Sequence, residues 1–324
     1  MSIYLAGDIG GTKTRLAIVT VMGTQVHIEH EVSYPSQDYA QFETLLAEFL
    51  SGITVPVAAA FGVAGPVQGR VVQTTNLPWR IDADVLQRQF GFETCTLLND
   101  LEATAYGLPA LQDEDLLTLQ AGCVDASGNL AVIAAGTGLG EAGLFWDGRG
   151  HQPFATEGGH ASFAPSNTLE FALMRHLQQQ FQHVSWERVV SGMGLLSLHE
   201  FLRQYRNSTV PDWLAEDMRE GDGAAAISSA AMAGSDEICV EAMHCFVRLY
   251  GAEAGNLALK VMSRGGIFIG GGIAPKILPM LQNGEFLEAL LAKGRMRPLL
   301  EAMPVKVILN DRAALYCPAL RAAQ

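Results

Sequence analysis

The sequence predicts an α/β protein of two domains, on three observations. Its 324 residues exceed what a single hydrophobic core usually serves. β-rich apolar runs alternate with segments of helical periodicity along most of the chain. Two glycine- and threonine-rich turns, Gly7-Asp8-Ile9-Gly10-Gly11-Thr12-Lys13-Thr14 and Gly136-Thr137-Gly138-Leu139-Gly140, each sit between apolar strand-like runs. They lie about 128 residues apart, and this recurrence of strand, turn and strand suggests duplicated architecture despite low side-chain identity between the copies.

The elements follow in order. Ile3 to Ala6 lead into the first turn and Leu16 to Val21 lead out, so it is read as a hairpin, and the strand-rich texture continues to about residue 33. Tyr39 to Leu50 carry helical spacing, and Val55 to Val63 are a continuous apolar run ending at Ala64-Gly65-Pro66. Gly69 to Thr75 read as a strand and Ile81 to Phe90 as a helix. Thr94 to Leu98 read as a short buried strand that delivers Asn99 and Asp100 at its C-terminal end, where open α/β sheets place ligands. The texture changes between about residues 108 and 128, through Pro109, the acidic stretch Asp113-Glu114-Asp115, and Asp125-Ala126-Ser127-Gly128, and the domain boundary is placed there. Leu130 to Ala135 and Ala142 to Trp146 frame the second turn. Helical patterns follow at 168 to 181, 195 to 206 and 238 to 262, then a buried strand, Ile267 to Ile269, that runs into Gly270-Gly271-Gly272-Ile273-Ala274-Pro275 and opens another helix. A last strand, Val305 to Leu309, precedes a short helical segment expected to pack back on the first domain. The expected division is a small domain of residues 1–110 plus about 300–324, and a large domain of 111–299.

Glycines let backbone N–H groups approach an anion closely, and threonine hydroxyls add donors, so each turn is a nest for a phosphate. Two such nests, the first carrying Asp8, point to a nucleotide. Gly10-Gly11-Thr12-Lys13-Thr14 is no P-loop, because that motif needs Gly-Lys adjacent and a helix following, whereas Thr12 precedes Lys13 and a strand-like run follows. A dinucleotide fingerprint also requires a helix at its last glycine, and Arg15-Leu16-Ala17-Ile18-Val19 is β-rich.

Composition narrows the partners. With 49% hydrophobic and 17% charged residues the chain is globular, and a net charge of −13 without a basic run argues against nucleic acid and anionic membranes. Met1 leads straight into a strand with no basic leader or long apolar segment, so the expected location is the cytoplasm. Cys95, Cys123, Cys239, Cys245 and Cys317 are odd in number and never in a Cys-x-x-Cys pair, and are read as reduced core thiols without zinc or a disulfide framework.

A polar constellation completes the reading. Asn99 and Asp100 close a strand; Glu157-Gly158-Gly159-His160 sets an acid and an imidazole around a pair of glycines, so that both heads can face one small ligand. Glu187, in Ser185-Trp186-Glu187-Arg188, is read near a helix start capped by Ser185. Asn99, Asp100, Glu157, His160 and Glu187 together offer fixed acceptors and donors for a polyol. A polyol beside two phosphate nests implies phosphoryl transfer from a nucleotide to a hydroxyl.

With these residues in place, the chain resembles the bacterial ATP-dependent glucokinases of the hexokinase and actin-like ATPase superfamily over nearly its whole length. The first phosphate motif is Gly7-Asp8-Ile9-Gly10-Gly11-Thr12, the catalytic motif Leu98-Asn99-Asp100, the second phosphate motif Gly136-Thr137-Gly138, the sugar motif Glu157-Gly158-Gly159-His160, and the adenosine motif Gly270-Gly271-Gly272. The resemblance implies two actin-like, ribonuclease H-like domains flanking a deep cleft, with glucose, ATP and Mg2+ as ligands. It implies Asp100 as the base for the 6-hydroxyl, Asn99, Glu157, His160 and Glu187 as the sugar grip, Asp8 as the Mg2+ holder through water, and Thr12 and Thr137 on the phosphates. It also implies a homodimer. Leu101, Met193 and Tyr316-Cys317-Pro318 depart from the family's usual residues, outside the implied ligands. The cysteine-rich zinc motif of related repressors is absent, since residues 161 to 167 hold no cysteine. The expected activity is therefore glucose phosphorylation, with two alternatives: the same chemistry on mannose, fructose or an N-acetylhexosamine, or sugar binding without turnover.

Overall fold

The computed structural model describes residues 2–65, 67–74, 77–123 and 127–323, and it leaves out the side chains of residues 100–102, 109 and 155. Pro66, Thr75, Asp125 and Ala126 of the sequence reading, and the side chains of Asp100, Leu101 and Pro109, therefore lie outside the described residues. The chain forms two compact units, one of residues 1–116, 151–155 and 310–324, the other of 117–150 and 156–309. Residues from about 300 to 309 fall in the second unit.

In the first unit β1 (Tyr4–Ile9) and β2 (Lys13–Met22) form an antiparallel hairpin around the first glycine turn, and β3 (Gln25–Pro35) extends it. Phe42, Leu45, Leu46 and Phe49 recur at helical spacing on α1 (Phe42–Phe49), and all four are buried. β4 (Ala58–Val63) is buried at every position, as a central parallel strand must be. β5 (Val67–Gln68), β6 (Val71–Gln73) and β7 (Arg80–Asp82) make a small antiparallel sheet. Asp82 then caps α2 (Ala83–Phe90) through the Asp84 amide at 3.0 Å, and Gly91 ends the helix at φ +77°. β8 (Thr94–Asn99) and α3 (Asp100–Gly107) follow. The main sheet has the order β3-β2-β1-β4-β8, and its parallel register sets Ile9, Val63 and Asn99 in one row. The C-terminal ends of β1 and β8 thus lie at the same edge, two strand spacings apart, or about 10 Å.

The second unit begins with β9 (Leu116–Gln120), then β10 (Leu130–Ala135) and β11 (Leu139–Trp146), an antiparallel pair around the second glycine turn. After β12 (His151–Thr156), whose residues 151–155 belong to the first unit, come α4 (Thr168–Leu177), α5 (Gly192–Tyr205), α6 (Asp212–Glu220), α7 (Gly223–Ala233) and α8 (Glu237–Val261). β13 (Gly266–Gly270), α9 (Leu278–Gln282), α10 (Glu285–Leu291), α11 (Arg297–Glu301) and β14 (Val305–Ile308) complete it. Its strands β11, β10, β13, β14 and β9 lie in that order. A hairpin feeding parallel strands, β2-β1-β4-β8 in one unit and β11-β10-β13-β14 in the other, is the duplication that the glycine turns announce. The final helix, α12 (Ala313–Ala322), returns to the first unit, where Leu315 and Ala319 pack on Ala6, Ala17 and Val19. Cys95, Cys239, Cys245 and Cys317 are buried thiols; Cys123 is exposed, unlike the core residue expected. No helix of the described residues is long and apolar enough to cross a membrane.

Tyr250, fully buried on α8, ties this second sheet together. Its hydroxyl accepts from the Ala135 amide at 3.2 Å and lies 3.2 and 3.3 Å from the Ile133 and Gly270 carbonyls, at the ends of β10 and β13. Burial raises the phenol above its ordinary pKa, so it stays a donor. Tyr250→Phe removes the acceptor of a buried amide and is expected to cost about 1 to 3 kcal/mol, read as a lower urea midpoint at unchanged slope.

Candidate active site

The first glycine turn is pinned by hydroxyls. Gly10 N–H donates to the Lys13 carbonyl at 3.0 Å, Ser36 N–H to Thr12 O at 3.0 Å, and Ser36 Oγ to Gly10 O at 2.8 Å. Thr14 Oγ1 lies 2.9 Å from Ser36 Oγ, and both residues are wholly buried. The turn therefore keeps a fixed shape while Thr12 faces solvent. Asp8 is half-buried near the end of β1, and its carboxyl has no hydrogen-bond partner among the described residues; burial raises its pKa, and Arg15 and Lys13 pull it back. On β8, Asn99 donates from Nδ2 to the Gly65 carbonyl at 3.3 Å. Asp100 is the first residue of α3.

The second unit gathers the remaining residues into one bonded body. Gly136 N–H donates to Gly138 O at 2.9 Å, and Gly192 N–H to Gly136 O at 2.8 Å, which docks the turn on the start of α5. Leu139 N–H donates to Glu187 Oε2 at 3.0 Å, and a Cβ on Gly138 would overlap that carboxylate oxygen. Glu187 thus grips the second glycine turn directly. Gly158 and Gly159 press against the same strand: a Cβ on Gly159 would overlap the Leu139 carbonyl, and one on Gly158 the Glu141 carboxyl. These glycines bring Glu157 and His160 to the surface with Oε2 and Nε2 3.9 Å apart, both side chains mostly exposed. Gly271, at φ +81°, packs on Ala135 so closely that a Cβ would overlap its carbonyl oxygen, and Ile273 N–H donates to that oxygen at 3.2 Å. The Gly270-Gly271-Gly272 turn and the Gly136-Thr137-Gly138 turn therefore lie side by side, at the ends of paired strands.

One local expectation changes. Trp186–Arg188 form a single 3-10 turn, and Ser185 makes no side-chain cap; the helix starts at Gly192, where Ser191 Oγ accepts from Gly194 N–H at 2.9 Å. An antiparallel bridge from Ser185 to Ser162 holds that stretch extended, and this sets Glu187 toward the turn rather than on a helix face. Sequence reasoning misses Ser36, Ser191 and Tyr250, and it counts Thr14 among the turn's threonines although Thr14 is buried against Ser36. Of the three missed, only Ser191, a serine before Gly-Met-Gly and a helical run, carries a local signal.

Among the described residues His199, Asp236 and Cys239 place three ligand-type atoms within 4.8 Å of one another. Arg203 sits among them, donating from Nε to His199 Nε2 at 3.1 Å and from Nη2 to Asp236 Oδ1 at 2.6 Å. Burial and that guanidinium push His199 down to about 4. The cluster is a polar network completed by arginine, which already occupies His199 Nε2 and Asp236 Oδ1.

A glucokinase family model matches residues 5–324. The glucokinase of Nostoc sp. is 43% identical over an alignment that takes in 100% of each chain. Among solved structures, a glucokinase from an Antarctic psychrotroph is 31% identical with a TM-score of 0.87, covering 100% of this chain and 99% of that one. The glucokinase of Balamuthia mandrillaris, solved in complex with glucose, is 24% identical with a TM-score of 0.80, covering 100% and 94%, and shares the fold. The chain belongs to the glucokinase family.

The packing of Gly159 generates a test. Gly159→Ala forces the turn off Leu139 and is expected to lower the thermal midpoint by several degrees, whereas Gly136→Ala, whose Cβ meets nothing within 4 Å, leaves it within about one degree. Equal midpoints for the two variants would contradict the packing argument.

Proposed function

We propose that this member of the glucokinase family transfers the γ-phosphoryl group of ATP to the 6-hydroxyl of glucose, giving glucose 6-phosphate and ADP. The observation that carries the reading is the single bonded body of Gly136-Thr137-Gly138, Gly270-Gly271-Gly272, Glu157-Gly158-Gly159-His160 and Glu187. A phosphate nest, a close-packed glycine turn for adenosine and an exposed acid–imidazole pair are held there without slack. Phosphoryl transfer is catalysed by positioning and charge neutralisation, which a rigid set of donors supplies.

Asn99, Glu157, His160 and Glu187 hold the sugar hydroxyls, and Asp100 takes the proton from the 6-hydroxyl as it attacks. Gly10, Gly11 and Thr12 receive phosphate oxygens from one turn, and Gly136, Thr137 and Gly138 from the other. Asp8 is the residue to hold Mg2+: a desolvated carboxylate with no protein donor among the described residues suits a hard oxygen-seeking cation, which when bound neutralises phosphate charge. No zinc is required: Arg203 donates to both His199 Nε2 and Asp236 Oδ1, so the charge that a cation would supply there is already present. The protein works in the cytoplasm as a homodimer, on small molecules rather than nucleic acid or membrane.

A coupled assay with ATP, Mg2+ and a panel of hexoses tests the reading, with glucose expected to give the highest kcat/KM. Asp100→Asn is expected to keep sugar affinity and lower kcat by about 10² to 10⁴; a near wild-type kcat would remove the base assignment. Glu157→Ala and His160→Ala are expected to weaken glucose binding by about 1 to 3 kcal/mol each and leave the KM for ATP in place. Glu187→Ala is expected to raise both, because the same carboxylate holds the Leu139 amide of the phosphate turn.

A further inference from the structure

Glu141 sits on β11, 1% exposed, opposite Ile133 of β10. It lies directly against the turn read above as the sugar grip. Its carboxyl fills the space where Gly158 would carry a Cβ, and its carbonyl accepts from Thr156 Oγ1 at 2.9 Å, which itself accepts from Gly158 N–H at 3.1 Å. Glu253 of α8, 0% exposed, lies within hydrogen-bonding reach of the Glu141 carboxyl. Glu253 Oε1 accepts from Lys260 Nζ at 3.2 Å and Oε2 from Asn256 Nδ2 at 2.8 Å. Lys293 binds Asn256 Oδ1 at 2.7 Å, one step further out.

We propose that Glu141 is a positioning residue for sugar binding: its neutral carboxyl shares a proton with Glu253 and seats Gly158, and ionisation of the pair lifts the turn away from the sugar. The proposal rests on the reading of Glu157 to His160 as the sugar grip. As a carboxylate, Glu141 leaves Oε1 buried with no donor among the described residues. As an acid, it donates to Glu253. Burial first, and the Glu253 charge second, push Glu141 up to about 8, with Lys260 offsetting only part. The remaining charged groups do not cancel a second negative charge. Lys260 is half-exposed and already serves Glu253, Lys293 donates to the Ala252 carbonyl and Asn256 Oδ1 rather than to either carboxyl, Tyr250 on the same helix is a neutral phenol, and Glu157 and His160 point to solvent. Because the folded-state pKa lies above the ordinary carboxyl value, the seated turn is intact below that pH and is lost above it.

The test is the affinity for glucose of the full-length enzyme, measured by calorimetry without ATP across about pH 6.5 to 9.5, beside glucose phosphorylation at pH 7. Wild-type Kd is expected to rise about tenfold from pH 7 to pH 9, as a single controlling proton requires. Glu141→Gln, isosteric with the neutral acid, is expected to hold Kd flat over that range. Glu253→Gln removes the neighbouring negative charge that holds the proton on Glu141, and is expected to move the rise to lower pH. A rise that stays in place or moves to higher pH overturns the pair. A pH-independent wild-type Kd, or a rise that Glu141→Gln shares in full, also overturns it. Failure of the kinase reading looks different: glucose is then neither bound nor phosphorylated at pH 7 by any of the three proteins.

Discussion

The contact on which the second unit's site depends is the seating of Gly158 and Gly159 on β11. Strand β11 begins at Leu139, the residue that closes the second glycine turn, so whatever rests on its first residues shares that turn's position. Gly159 covers the Leu139 carbonyl, Gly158 covers the Glu141 carboxyl, and the Leu139 amide is held by Glu187 at 3.0 Å. Two segments far apart in sequence, at Gly158–Gly159 and at Glu187, are thereby referenced to one strand end. No side chain larger than hydrogen at 158 or 159 preserves those distances, so both glycines follow from packing as much as from chain flexibility.

The two copies of the hairpin reach the same end by different chemistry. In the first unit a buried pair of hydroxyls, Thr14 and Ser36, fastens the glycine turn from below, with Ser36 Oγ 2.8 Å from the Gly10 carbonyl. In the second unit the fastening comes from Gly192 N–H at a helix start and from a carboxylate. Neither solution uses the threonine of the turn itself: Thr12 and Thr137 are exposed in both copies. Each turn is thus immobilised by residues outside itself, and its own exposed hydroxyl takes no part in the fastening.

Much of this is legible in the sequence, for a physical reason. Glycine turns between apolar runs, the strand ending in Asn99-Asp100 and the order of the motifs are local patterns, and local patterns survive without tertiary information. The resemblance to glucokinases, carried by those same motifs, agrees with a family match over residues 5–324. What escapes depends on contacts across long separations. Ser36 acts 26 residues from Gly10, Tyr250 acts 115 residues from Ala135, and nothing in the composition around either marks it. The segment around Glu187 reads as a helix start, because Ser-Trp-Glu looks like a cap; the bridge from Ser185 to Ser162 that overrides this preference is itself non-local.

Rigid placement has a thermodynamic side. Each glycine in an ordered turn gives up more backbone freedom than alanine would, by about 0.5 to 1 kcal/mol, and the first and second turns together contain several. The offsetting terms are the buried bonds around them: Ser36 to Gly10, Gly192 to Gly136, Leu139 to Glu187 and Tyr250 to Ala135, each worth on the order of 1 kcal/mol net. The two sums are of similar size, so the turns are held in place at little net gain or loss of stability. What the arrangement secures is geometry, with backbone donors ordered in advance of any ligand, and pre-ordered donors are worth more to a transition state than the same groups recruited from a mobile loop.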